Sequence, residues 1–265
     1  MRIIKKAIEI GNGAAVYIPK EYSGKEIVIL LPDGIKEIKN EILQKLIPYM
    51  NNIVGVYLYG SYARDEQTLD SDTDVLVITK DKDDDIKKDL QDIDVRVISL
   101  ENVKKSIKEY PLLIIPILKE AIVLLNPILL EELQTNKIDF RKLKWSFDDI
   151  KRIIKIIEEF IKIDENNIAP SHVYSLLMRI RGCYVMECLL KNKKYSNQGV
   201  KKRLEEYGLE GRLISTFFEI YRKIREEEQV KIKVNKEEIT RLINILKQYS
   251  KKIEHETAKK TRKGN

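Results

Sequence analysis

Residues 60–77 read GSYARDEQTLDSDTDVLV and follow directly on the apolar run Val54–Tyr59. A buried strand that ends in Gly-Ser, followed by a second strand that opens on Asp-x-Asp, brings two kinds of chemistry to one sheet edge. Asp72 and Asp74 stand at the mouth of the strand expected over Asp74–Thr79, and strand residues two apart face the same side. Asp94 lies on a later strand, Ile93–Ser99, expected to neighbour that one, with its side chain able to reach the same side. Converging carboxylates raise one another's pKa unless a cation holds them. Oxygen ligands favour a hard ion such as Mg2+, which keeps waters and takes the rest of its shell from substrate phosphates. Gly60 lets the backbone approach a ligand closely, Ser61 offers a hydroxyl, and the helix expected to start there aims N–H groups at an anion. The pattern describes a triphosphate site beside a metal site. The acidic run at 80–85 reads as a solvated turn, and Asp70, ahead of the strand, as a polar loop residue.

Working outward, the spacing predicts a helix from Ile35 to near Pro48, a short helix Ile86–Leu90, a helix over 101–109, an apolar stretch to Ile117 and a strand Ala121–Leu125. This alternation makes an α/β domain over 35–130. From 140 to 256 the strand signals vanish, and amphipathic helices are expected at about 147–163, 170–191, 197–207, 212–227 and 236–254, forming a bundle. Residues 257–265, with KKTRKGN, read as a frayed basic tail. Residues 1–34 read as a small β unit: Ile3–Ile10, a Gly-Asn-Gly turn, Ala14–Ile18, and Ile27–Leu31 closed by Pro-Asp-Gly. The fold class expected is α+β, with the β unit in front and the helical bundle behind.

The hydrophobic content of 43% places the chain among globular proteins rather than disordered ones. The most apolar region, PLLIIPILKEAIVLLNPILL, carries Lys119, Glu120 and three prolines, so it reads as core and not as a membrane span. Cys183 and Cys188 are five apart in a helical pattern and point to different faces, which suits neither a disulfide nor a zinc site and points to a reduced, cytoplasmic setting. A net charge of +7 favours polyanionic partners, nucleoside triphosphates or nucleic acid. Arg179, Arg181, Lys191, Lys193, Lys194, Lys201 and Lys202 gather near Tyr195, either as a guide for a phosphate-bearing acceptor or as a solvated face. Tyr174, Met178 and Tyr184 recur at helical spacing and read as core. His172 opens a helix, where it caps or packs, and His255 reads as surface.

The segment Gly60–Val77 resembles the signature of the DNA polymerase β superfamily of nucleotidyltransferases, and most nearly the archaeal and bacterial minimal nucleotidyltransferases, over about residues 36–126. The resemblance implies that Gly60, Ser61 and Arg64 bind the triphosphate, that Asp72 and Asp74 hold two Mg2+ ions, and that Asp94 completes the metal site and helps deprotonate an acceptor hydroxyl. It implies transfer of a nucleoside monophosphate, AMP from ATP, with release of pyrophosphate. The acceptor it implies is a protein, as in adenylyltransferases that silence toxin partners in toxin-antitoxin pairs, with an RNA end or a small molecule as the alternatives. Asp65 stands where the family has glycine, a departure that bears on the helix and on charge near the nucleotide. Residues 11–34 resemble AbrB-like small β domains, which implies a homodimer through 1–34 and, as a rival reading, a DNA-binding regulator whose catalytic domain only senses nucleotide; the plain alternative is a β appendage that extends the catalytic sheet.

Overall fold

The computed structural model describes residues 8–25, 27, 34–67, 71–91, 93–164 and 168–263. The chain divides into two compact units, 1–32 and 33–265. In the first, β1 (Ile8–Ile10) and β2 (Gly13–Ala15) form an antiparallel hairpin across the Gly11 turn, where φ is +58°. Residues 16–18, expected to continue the second strand, lie outside it. The strand expected at Ile27–Leu31 falls, apart from Ile27, outside the described residues, as does Asp70.

In the second unit the sequence alternates as expected through α1 (Ile35–Leu46), β3 (Ile53–Tyr59), α2 (Gly60–Ala63), β4 (Asp74–Thr79), α3 (Ile86–Asp89), β5 (Asp94–Ser99) and α4 (Leu100–Glu109). Next come α5 (Pro111–Glu120), β6 (Ile122–Leu125) and α6 (Pro127–Gln134). The four strands order β5-β4-β3-β6, with β4 and β5 parallel and the other neighbours antiparallel. Val56, Leu58, Val75 and Val77 pack on one face against Ile38, Ile42 and Leu46 of α1 and Ile86 of α3. Tyr57, Tyr59, Leu76 and Ile78 pack on the other against α4, α5 and α6. Because both faces are covered, β3 and β4 are continuous apolar runs rather than alternating ones. The result is a mixed sheet with helices on both faces, an α+β fold.

Two helices, α5 and α6, lie where the sequence pattern predicts none. The apolar stretch after 110 is helical through Glu120, with Pro111 at its first turn, where a missing N–H costs nothing. Asn126 caps α6 by accepting a hydrogen bond from the Leu129 N–H.

The bundle comprises α7 (Lys144–Ile163), α8 (Pro170–Leu190), α9 (Asn197–Glu206), α10 (Gly211–Arg225) and α11 (Lys236–Lys263), and it belongs to the same compact unit as the sheet. Its core runs from Phe147 and Ile150 on α7 through Ile180 and Cys183 on α8 and Phe217 on α10 to Leu246 and Tyr249 on α11. The frayed tail is corrected: α11 continues to Lys263, with Thr257 buried and the Lys260 Nζ donating to the Leu190 carbonyl at 3.3 Å. Both cysteines are free and buried. Met178 is also a correction, since it is exposed rather than core. His172 packs against the Phe160 ring, and His255 is exposed. Among the described residues no helix is long and apolar enough to cross a membrane.

Candidate active site

Parallel pairing of β4 with β5 sets Asp74 in register with Asp94 at the start of both strands. Asp74 shares its parity with Leu76 and Ile78, and Asp94 shares its parity with Ile98, so both project from the face covered by α4, α5 and α6. Tyr59, the last residue of β3, pairs with Asp74 from the other side. The end of β3 and the starts of β4 and β5 therefore meet at one sheet edge. Asp72 precedes β4 and is exposed, and its charge acts on Asp74.

The Asp74 carboxyl is pushed up to about 6, first by burial and then by the Asp94 carboxylate, with Asp72 adding to the rise. Arg225 and Arg64 pull the other way. Arg225, the last residue of α10, was not singled out from the sequence, because no local motif ties a charge near the end of the chain to an edge strand. Among the described residues no three His, Cys, Asp or Glu side chains are gathered at metal-ligand spacing.

Gly60 has φ +75°, and a β-carbon there would run into the Asp74 carboxylate. Helix α2 is a single turn, and the Gly60 N–H donates to Glu120 Oε1 at 2.9 Å. The expected fan of N–H groups aimed at an anion is thus corrected: Gly60 contributes closeness of approach, while its N–H belongs to Glu120. Ser61 is half-buried beside it.

The turn closes by two backbone bonds, Glu66 N–H to Ser61 O at 2.9 Å and Asp65 N–H to Tyr62 O at 3.4 Å. This is a Schellman closure with Asp65 at the left-handed position, φ +55°. The departure from glycine at 65 has a backbone explanation, since Asp is among the few residues that enter this region readily. Arg64 is half-buried, and its Nη1 donates to Glu120 Oε1 at 2.8 Å and its Nε to Glu66 Oε2 at 3.0 Å. Burial lowers its pKa, but Glu120 and Glu66 outweigh that and the net shift is upward. These contacts are to carboxylates, so the phosphate contact expected of Arg64 is not the one its Nε and Nη1 make.

The basic cluster around Tyr195 separates into distinct contacts. Arg179 bonds Asp149, Lys191 and Arg203 bond the buried Glu187, and Lys201 sits over Phe218. Arg181 donates to the hydroxyls of Tyr195 and Tyr221. Lys193, Lys194 and Lys202 remain as exposed residues.

Residues 40–127 match the family model described as Polymerase beta, Nucleotidyltransferase, and Gly60, Asp72, Asp74, Asp94 and Glu120 all lie within the matched segment. No curated protein matches the sequence. Among solved structures, the chain is similar to spectinomycin adenyltransferase AAD(9) from Enterococcus faecialis with ATP and spectinomycin. That likeness has 16% identity and a TM-score of 0.48, covering 82% of this chain and 100% of that one. It is also similar to a nucleotidyltransferase-like protein from Exiguobacterium sibiricum 255-15. There the identity is 14% and the TM-score 0.38, covering 85% of this chain and 78% of that one.

Proposed function

We propose that this chain is a magnesium-dependent nucleotidyltransferase that moves AMP from ATP onto an acceptor hydroxyl and releases pyrophosphate. The observation that carries the reading is the meeting of Gly60, Asp74 and Asp94 at one sheet edge inside the matched domain. The residues fit a hard divalent cation. Burial and two neighbouring carboxylates disfavour the ionised form of Asp74, and a bound cation reverses that balance. Mg2+ also needs only one or two protein carboxylates, because phosphates and waters complete its shell. Asp72, Asp74 and Asp94 would hold two ions, which supply charge neutralisation at the attacking and leaving oxygens.

The chain's own groups do the rest. Gly60 admits the nucleotide close to the backbone, and the Ser61 hydroxyl donates to a phosphate oxygen. Asp94, exposed at the strand start, accepts the proton of the acceptor hydroxyl. Arg225 faces the negative charge from the bundle side. A protein tyrosine or serine is the acceptor carried forward from the resemblance to toxin-silencing enzymes, and the bundle supplies a surface beside the site for it to dock.

The test is incubation of wild type and the Asp72→Ala/Asp74→Ala variant with each labelled nucleoside triphosphate, Mg2+ and host lysate. Wild type should transfer label from ATP to a species sensitive to protease and resistant to ribonuclease, and the variant should transfer none. Label on RNA would move the acceptor to a polynucleotide end, and no transfer by wild type overturns the enzyme reading.

For residues 1–34 we propose a dimerising role, supported by exposure of Ile8, Ile10 and Tyr17 on the hairpin unit. Sedimentation of the full chain against residues 33–265 should show the dimer only in the former. Salt-dependent DNA binding that is lost with residues 1–32 would favour the regulator instead.

A further inference from the structure

Glu66, Arg64 and Glu120 take no part in the proposed chemistry, yet they run without a break from the nucleotide turn to the helical bundle. At one end Glu120, a buried carboxylate at the last residue of α5, accepts both the Gly60 N–H and Arg64 Nη1 on Oε1. In the middle the Arg64 guanidinium joins Glu120 to Glu66 and lies 5.4 Å over the Tyr195 ring. At the other end Glu66 Oε1 accepts the N–H groups of Asn197 at 2.8 Å and Gln198 at 3.4 Å, and Oε2 accepts Asn197 Nδ2 at 3.0 Å. The Tyr195 hydroxyl donates to Asn197 Oδ1 at 2.9 Å, closing the group.

Each joint from Gly60 through Glu120, Arg64 and Glu66 to Asn197 is charge-assisted, and such bonds are stronger than neutral ones. The three charged side chains are only 8–19% exposed, so water does not readily take over a joint that breaks. A residue at φ +75° with no side chain has only its backbone to hold it in place, and the Gly60 N–H is held by Glu120. Glu120 is oriented by Arg64, Arg64 by Glu66, and Glu66 by the first residues of α9. The Schellman closure at Asp65 is what brings Glu66 round to meet α9.

We propose that Glu66 is a positioning residue for nucleotide binding: by holding Asn197 of the bundle and Arg64 of the catalytic domain together, it makes the grip of the Gly60-Ser61 turn depend on how the bundle is seated. The proposal rests on the nucleotidyltransferase reading. A plain fastener between the sheet and the bundle behaves differently, since its loss lowers thermal stability and the active fraction and leaves the nucleotide affinity of the folded molecules unchanged.

The experiment is titration calorimetry of ATP with Mg2+ on full-length wild type, Glu66→Gln, Asn197→Ala and the double variant, with circular dichroism to confirm folding. Glutamine keeps the size and one acceptor oxygen but drops the charge. Each single variant should weaken ATP binding by on the order of tenfold, and the double variant should be no worse than the weaker single, because both cut the same joint. ATP affinity within about twofold of wild type in both folded single variants, or losses that add in the double, overturns the positioning role alone. Absence of ATP binding by wild type overturns the nucleotidyltransferase reading on which it rests.

Discussion

The Asp74 carboxylate fills the space in which a β-carbon on Gly60 would stand, while Gly60 itself holds φ +75°. The two residues are fourteen positions apart in sequence and are brought together by the antiparallel pairing of β3 with β4, in which Tyr59 opposes Asp74. Gly60→Ala therefore meets two obstacles, a left-handed backbone that costs an L-residue about 1–2 kcal/mol and a collision with the half-buried Asp74 carboxylate. Transfer should fall below detection, and the melting temperature should drop by several degrees in a thermal scan. An active, equally stable Gly60→Ala protein would contradict the geometry.

Asp74→Asn should separate stability from function. The folded state raises the Asp74 pKa from 3.8 to about 6, so without metal the ionised acid destabilises the fold. Well below pH 3.8 the group is protonated in folded and unfolded chains alike, and no penalty exists. The penalty builds as pH rises from 3.8 to about 6 and is full at pH 7. In EDTA at pH 7 the variant should be more stable by about 1–2 kcal/mol, discounted for partial exposure, and the gain should largely vanish at pH 3.5. Added Mg2+ should stabilise wild type and not the variant, and transfer by the variant should be abolished.

Arg225 reaches the Asp74 field from the end of α10. Its replacement by alanine removes one of the two cations that hold the Asp74 pKa down. The metal-free Asp74 titration, followed by NMR, should move upward, and ATP affinity should weaken by on the order of tenfold, with a reduced dependence on salt. An unmoved titration would place Arg225 outside the site.

Asp65 holds φ +55° at the end of the α2 turn. Asp65→Gly should raise stability by about 0.5–1 kcal/mol, the relief of the left-handed strain less the added freedom of the unfolded chain. Chemical denaturation reads this directly, and a loss of stability would mean that the Asp65 side chain makes a contact that glycine cannot replace.

Glu187 is buried in the bundle and bonds Arg203 Nη2 at 2.6 Å, together with Lys191 and the Tyr249 hydroxyl. Truncation to alanine leaves buried donors and a guanidinium without a partner, and should cost about 3–5 kcal/mol in urea unfolding. A cost under about 1 kcal/mol, the scale of an exposed pair, would show that water replaces the carboxylate.

The sheet was legible because its signals are local. Apolar runs at Val54–Tyr59 and Val75–Thr79, bounded by Gly60 and by polar loops, allow little besides buried strands, and period-3.6 faces after 140 allow little besides helices. Helix α6 could also have been found, since Asn126-Pro127 is a cap followed by a proline at the first helical position. Helix α5 was harder, because Pro116 interrupts its pattern and the propensity of a short apolar run does not choose between helix and strand.

Chain chemistry alone settled which groups are available for the site: Gly-Ser after a buried strand, Asp-x-Asp before the next and one acid on a later strand are marks that a dozen neighbouring residues can carry. Register, burial and distant partners were left to the folded molecule. Asp74 faces Asp94 because β4 and β5 run parallel, the Gly60 N–H goes to Glu120 sixty residues away, and Arg225 and Asn197 arrive from the bundle. Periodicity reports which side of its own element a residue faces, whereas hydrogen bonding and charge depend on what stands opposite, and that is decided only when the elements pack.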